Sequence, residues 1–335
     1  MAVKGADLES ELIDTVCERV RERLPADQVA PCESFVRQYY QWVPAEDLAD
    51  RNPLDLYGAA VAHYNLAQQR AAGESKVRVY NPDFEQHGWQ SPHTLIEIVT
   101  DDMPFIVDSV TMQLGRLGYG IDLVIHPVMN VRRDAAGHLT EVLDHDHDAT
   151  ADAAGPEVAV RESVVHVEVG REHDRVKLDQ LRATIERVLA DVRAAVEDWP
   201  QMRSRPQMLI GEFDHSPPPT VDPALTDETK AFLAWLAEDN FTFLGYREYD
   251  LIDEGDEARL QPIDGSGLGI LRTPPTRAPK KLTGKALAVG REPQILLLTK
   301  ANSASPVHRP AYLDYIGVKK YSEDGQVIGE RRFLG

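Results

Sequence analysis

Residues 94–131 read TLIEIVTDDMPFIVDSVTMQLGRLGYGIDLVIHPVMNV, and the change of period within them decides the fold class. TLIEIVT, residues 94–100, is rich in β-branched residues and reads as a strand. From Ile106 the apolar residues Ile106, Val110, Leu114 and Leu117 recur at three- and four-residue spacing, the pattern of a helix with one buried face. Gly118-Tyr119-Gly120 ends that helix, and IDLVIHPVMNV returns to strand. Its odd positions, Ile121, Leu123, Ile125, Met129 and Val131, are apolar and are expected to face helices, because side chains alternate across a strand. HLTEVLD extends a hairpin, 144–160 reads as a loop, and ESVVHVEV is a further strand. A long helix from about Asp174 to Trp199 then carries Leu178, Leu181, Ile185, Val188, Val192 and Val196 at strict 3/4 spacing. At 1.5 Å per residue it runs ~39 Å, longer than one small sheet covers, so it is expected to reach a neighbouring domain or subunit.

Working outward, 1–75 is a helical N-terminal segment. Leu8, Leu12, Ile13, Val16, Val20 and Leu24 form one stripe, with Asp7 as a cap and Pro25 as a stop. Asn52-Pro53 opens a further helix, since a proline in the first turn loses no hydrogen bond. Residues 76–215 form the first sheet-bearing domain, 216–225 a proline-rich linker and domain boundary, and 226–335 a second α+β domain. Glu323-Asp324-Gly325-Gln326 is a tight turn between the strands DYIGVKKY and VIGERRF. The end, Arg331-Arg332-Phe333-Leu334-Gly335, is an uncapped apolar strand and reads as truncated.

Composition narrows the function classes. With 335 residues, 42% hydrophobic and 27% charged, the chain is a folded protein of two or three domains. Its net charge of -19 repels phosphate backbones and anionic lipid, which argues against nucleic acid or a membrane surface as partner. No apolar run reaches the ~20 residues of a membrane helix, and the start has no signal-peptide core, so a cytoplasmic location is expected. Two cysteines, Cys17 and Cys32, are too few for a disulfide framework and are expected to be packed, reduced thiols.

No catalytic constellation is legible. GSGLGI, with Gly265, Gly267 and Gly269, is the one candidate for a dinucleotide turn, but its third glycine falls a place early and LRTPPTRAP cannot open a helix. It reads as a flexible loop, with no cofactor expected in this chain. His145 and His147 in HDHD suggest a metal only weakly; a solvated loop is the better reading, and no metal is expected. Asp101 and Asp102 stand where carboxylates cap a helix, and the same free N–H groups could seat a ligand's carboxylate. Glu97, Asp122, His126, His166 and Glu168 occupy polar strand positions and are expected to share an open sheet face, solvated or in contact with another sheet.

The order strand–helix–strand–strand–helix over 94–199, with Asp-Asp-Met-Pro at the first strand–helix turn, resembles an ACT domain. SFVRQYYQWVPAEDL, KVRVYNP, DDMPFIVDSV, HPVMNVRRD, FTFLGYREYDL and HRPAYLDYIGVKKYSEDGQVIGERRFLG together resemble the N-terminal region of the large bacterial NAD-dependent glutamate dehydrogenases. The resemblance runs from about residue 30 to the end. It implies an α+β fold: a helical segment, a ferredoxin-like ACT domain and a second ACT-like domain. It implies a non-catalytic regulatory and oligomerisation region of a parent that uses NAD to convert L-glutamate to 2-oxoglutarate, in contact with the rest of that enzyme and with copies of itself. By analogy with ACT modules, an amino-acid effector would sit near Asp101, Asp102, Met103, Pro104 and Phe105, with Tyr119 and Gly120 opposite. A purely structural assembly module with no ligand is the alternative. Two departures stand out: the 144–160 loop is longer than an ACT hairpin needs, and no fourth strand is legible directly after the long helix. Whether the module closes alone or borrows a strand stays open.

Overall fold

The computed structural model describes residues 2–144, 158–273 and 281–335. The HDHD histidines lie outside the described residues. The chain divides into two compact units, one of Met1–Met103 with Val110–Leu189, the other of Pro104–Ser109 with Ala190–Gly335. No helix among the described residues is long and apolar enough to cross a membrane.

The first unit opens with four helices, α1 (Ala2–Arg23), α2 (Ala26–Tyr40), α3 (Ala45–Leu48) and α4 (Pro53–Ala67). Asn52 caps α4 by accepting a hydrogen bond from Leu54 N, with Pro53 in the first turn as the sequence indicates. The sheet follows: β1 (Lys76–Tyr80), the short α5 (Phe84–His87), β2 (Thr94–Asp101), α6 (Ile106–Arg116), β3 (Ile121–Ile125), β4 (Val128–Arg133), β5 (Leu139–Val142) and β6 (Val158–Val169). The strands run antiparallel in the order β1-β2-β6-β4-β5, with β3 also pairing β6. No strand directly follows the long helix α7 (Arg175–Glu197), which leads into a further helix, α8 (Trp199–His215). The module borrows instead: β1, from before the ACT order begins, pairs with β2 along Lys76↔Val99 to Tyr80↔Leu95.

One face of this sheet carries Ile96, Ile98, Val165 and Val167, all fully buried, and the apolar stripes of α6 (Val110, Leu114) and α7 (Leu181, Ile185, Val188) are buried with them. The opposite face carries Val99, Leu123, Ile125, Met129, Val131 and Val164, which share one core with Val16, Val20, Phe35, Val36, Tyr39, Ala60 and Tyr64 of α1, α2 and α4. The odd positions of 121–131 thus meet the N-terminal helices from Leu123 onward, while Ile121, at the strand's start, is exposed.

Cys17 and Cys32 are free and fully buried in that helical core. Burial pushes both thiols up, Cys32 to about 12. A thiol reacts as its thiolate. Neither cysteine is expected to react with Ellman's reagent at pH 8 in the native chain, and both should react after unfolding; rapid native labelling would contradict this packing.

In the second unit, α8 is followed by α9 (Pro223–Trp235), then by β7 (Gly245–Asp253), β8 (Ala258–Pro262), β9 (Leu268–Gly269), β10 (Lys281–Leu282), α10 (Gly284–Arg291), β11 (Leu296–Ala304), β12 (Tyr312–Tyr321) and β13 (Val327–Leu334). Their antiparallel sheet runs β10-β8-β7-β13-β12-β11, with β9 on β7. Met202, Leu209 and Phe213 of α8, with Leu233 of α9, pack against Tyr246, Ile316, Val318 and Phe333. The turn expected at 323–326 joins β12 to β13.

Two expectations change here. The proline-rich stretch is not where the chain divides: Val221 lies in the core of the second unit, and Thr220 Oγ1 donates to Gly325 O at 2.8 Å. It is a turn into α9, whose first residue is Pro223 and whose cap is Asp222. Nor is GSGLGI a loose loop. Leu268 and Gly269 pair with β7, and Gly269 N–H donates to Asp198 at 2.8 Å.

Candidate functional site

The polar residues expected on an open face are mostly buried, and the register explains how. Along β2 and β6 the pairs Leu95↔Glu168, Glu97↔His166, Val99↔Val164 and Asp101↔Glu162 all point toward the N-terminal helices. Glu97, Glu162, His166 and Glu168 are therefore under helical cover, none more than 3% exposed. A buried carboxylate needs a charged partner to stay ionised, and arginines from several elements provide one for each.

At one end of this ladder Arg51, just after α3, donates to Glu168 at 2.6 and 2.9 Å. Burial alone would raise the Glu168 carboxyl; hydrogen bonds from His166 and Arg51 outweigh it and bring it down to about 2. In the middle, Arg78 of β1 donates to Glu97 Oε2 and the Tyr80 hydroxyl donates to Oε1. His63 of α4 stands beside them, held well below its ordinary range by burial and so neutral. At the far end Glu162 is gripped by Arg70 and Arg133 at 2.6–2.9 Å. Arg70 also reaches Asp101 at 2.7 Å. This arrangement ties α3, α4 and β1 to the central strands.

The expected group of five does not share one face. Glu97, His166 and Glu168 lie inside. Asp122 is exposed and joins the ladder only through His93, 3.2 Å from Asp122 and 3.9 Å from Glu168. His126 is exposed, and its Nε2 lies 3.1 Å from Ser163 Oγ, which donates to Asp102 at 2.8 Å. Sequence reasoning missed Arg51, His63, Arg70, Arg78, Arg133 and Glu162. The signal was in α4, PLDLYGAAVAHYNLA, apolar on every side; such a helix is buried all round, so His63 needed a partner on a covered surface.

The residues proposed around an effector also fall in two places. Asp101 lies level with Glu162, whereas Ile121, next to Tyr119 and Gly120, lies level with Val169 at the other end of β6. A crossover helix carries the chain the length of the sheet, so its two ends cannot face each other. At the first end, Asp101 and Asp102 are half-buried and Phe105 takes a left-handed backbone, φ 74°, a conformation a bulky side chain rarely adopts. Phe105 and the exposed Pro104 are counted with the second unit. Met103 is half-buried in the first.

At the other end Gly118, left-handed at φ 81°, closes α6 in the manner of a helix C-terminus. Tyr119 then lines a groove of about 630 Å3 with Gly118, Glu172, Lys177, Gln180, Thr184 and Arg187. Glu172 Oε2 is 3.4 Å from both the Tyr119 hydroxyl and Lys177 Nζ. Its pKa is lowered, chiefly by the Asp174 N–H. A carboxylate and two cations along one groove match the opposite charges of a zwitterion.

The glutamate dehydrogenase ACT1 domain matches residues 35–185, the part of the chain that holds the ladder and every named residue of the groove but Arg187. An NAD-specific glutamate dehydrogenase of Halomonas elongata is 39% identical over 329 residues, 97% of this chain and 20% of that protein. The one of Pseudomonas aeruginosa is 36% identical over 90% of this chain and 18% of its own length, and that of Mycobacterium tuberculosis 28% over 82% and 15%. The chain thus spans about a fifth or less of the relatives it matches. It belongs to the NAD-specific glutamate dehydrogenase family and carries that family's ACT1 domain.

Proposed function

We propose that the chain is the regulatory and assembly region of an enzyme that oxidises L-glutamate to 2-oxoglutarate with NAD, and that it binds an amino-acid effector in the groove at Tyr119. The observation that carries this reading is the groove itself. In this reading Glu172 would receive an α-amino group, and Lys177 and Arg187 an α-carboxylate, within one groove. An effector alters a parent enzyme only by preferring one of its states. Self-association would use the edge of β3 that pairs with no strand among the described residues, where Ile121 is exposed. The parent enzyme's further domains are the other partner.

Thermal melts against a panel of amino acids at millimolar concentration test the ligand. At ~100 times its dissociation constant an effector adds ~2.7 kcal/mol, a rise of roughly 5–10 °C for units of this size. The rise is expected for a few amino acids, to vanish in Lys177→Ala and Arg187→Ala, and to persist in Asp102→Ala. Loss in Asp102→Ala alone would move the site to the Asp101–Phe105 end. Flat melts, with stable dimers or larger species in sedimentation, would leave a structural module without a ligand.

A further inference from the structure

Beneath α4, one side-chain atom each of His63, Glu97 and His166 lies within 4.8 Å of the others, and all three residues are buried. Their hydrogen bonds fix which ring nitrogens hold a proton. His63 Nε2 faces the carbonyl of Ile98 at 3.2 Å, and a carbonyl only accepts, so Nε2 carries the hydrogen and Nδ1 keeps its lone pair. His166 Nε2 faces Glu168 Oε1 at 3.4 Å, a carboxylate already paired with Arg51, so the lone pair again falls on Nδ1. That Nδ1 is buried and has no hydrogen-bond partner. Glu97 receives two N–H groups of Arg78 and the Tyr80 hydroxyl. A carboxylate offers about four lone-pair positions, so about one remains.

We propose that His63 Nδ1, His166 Nδ1 and the Glu97 carboxylate form a binding site for one divalent transition-metal ion, best fitted by Zn2+, which fastens α4 to the β2–β6 pair. The surroundings are those a metal-bound histidine needs: each ring donates its second N–H to a fixed acceptor, a backbone carbonyl for His63 and a carboxylate for His166. Two imidazoles and a carboxylate suit Zn2+, which takes four ligands at about 2.0–2.2 Å and so holds them roughly 3.3 Å apart. The side chains must close slightly from their present spread. The Tyr39 hydroxyl, 3.2 Å from His63 Nδ1, gives up that bond when the ion enters. A purely structural cluster accounts for Glu97 and His63, whose polar atoms all have hydrogen-bond partners, but not for the orphaned nitrogen of His166.

The test is Zn2+ titration of the chelator-treated 335-residue chain by calorimetry, with X-ray absorption on the loaded protein. One equivalent is expected, with a coordination shell of two imidazoles and a carboxylate, a higher melting temperature, and reversal by chelator. Glu168→Gln, which weakens the acceptor behind His166, should lower affinity roughly 10–100-fold. His166→Gln should abolish the site. Replacing His145 and His147 together by alanine should leave it intact, which separates this site from the HDHD run of the sequence. The absorption spectrum needs no variant, so it decides the matter even if His166→Gln fails to fold. Absence of a stoichiometric Zn2+ site, a shell without two imidazoles, or binding unchanged in His166→Gln would overturn the proposal.

Discussion

Glu162→Ala is expected to cost about 3–5 kcal/mol of folding stability, the usual result of removing one partner from a buried ion pair. Glu162 is 1% exposed and stands between Arg70 and Arg133, themselves 2% and 6% exposed. Both guanidinium groups also donate to backbone carbonyls, Arg70 to Glu74 O and Arg133 to Gly137 O and Ala67 O. They cannot swing out to water without breaking those bonds. Alanine therefore leaves two cations facing each other under helical cover, with only the half-buried Asp101 near Arg70. Urea unfolding of the chain measures the loss. The triple change Arg70→Met, Arg133→Leu, Glu162→Met should recover most of it, because apolar residues of similar volume spare the desolvation that charges incur. A loss below about 1 kcal/mol in the single variant would mean that water reaches this end of the ladder.

How much of this could be read in advance depends on what each inference required. Period located α6, β3 and α7, each a run whose buried face repeats at 2 or 3.6 residues, while β2 and β6, buried on both faces, were legible from their β-branched content. The 323–326 turn was legible from local chemistry. The face on which polar strand residues end up was not, since alternation shows that Glu97, His166 and Glu168 share a side but says nothing about what covers it. That depends on where residues 2–67 pack, thirty or more positions away in sequence. The partners were hidden for the same reason: Arg51 and Glu168 are separated by 117 residues, Arg70 and Glu162 by 92. The separation of 101–105 from 119–120 was hidden as well, because α6 carries the chain between opposite ends of the sheet. Glycines were likewise ambiguous, as the GSGLG run shows.

Gly269→Ala is expected to destabilise the second unit by about 2–5 kcal/mol, and Gly265→Ala by only about 1–2 kcal/mol. Both glycines are left-handed, at φ 60° and 75°, and alanine in that conformation costs roughly 1–2 kcal/mol. They differ in surroundings. A Cβ on Gly265 meets nothing within 4 Å, whereas one on Gly269 would lie 2.1 Å from the backbone oxygen of Leu244 and 3.0 Å from the sulfur of Met202. That oxygen accepts a hydrogen bond from Ile270 N–H at 2.8 Å and cannot rotate aside without losing it, so the clash adds the 1–3 kcal/mol typical of overpacking. The displaced Gly269 N–H would also pull away from Asp198, a 6% exposed carboxylate that this N–H and Arg272 together hold below the ordinary carboxylate range against the opposing effect of burial. Parallel urea titrations of the two variants give the comparison directly. Equal losses would mean that Gly269 is conserving only its backbone angle and that the close approach to Leu244 relaxes freely; a larger loss for Gly269 identifies GSGLG as a packed strand junction, which a nucleotide-cradling loop could not be.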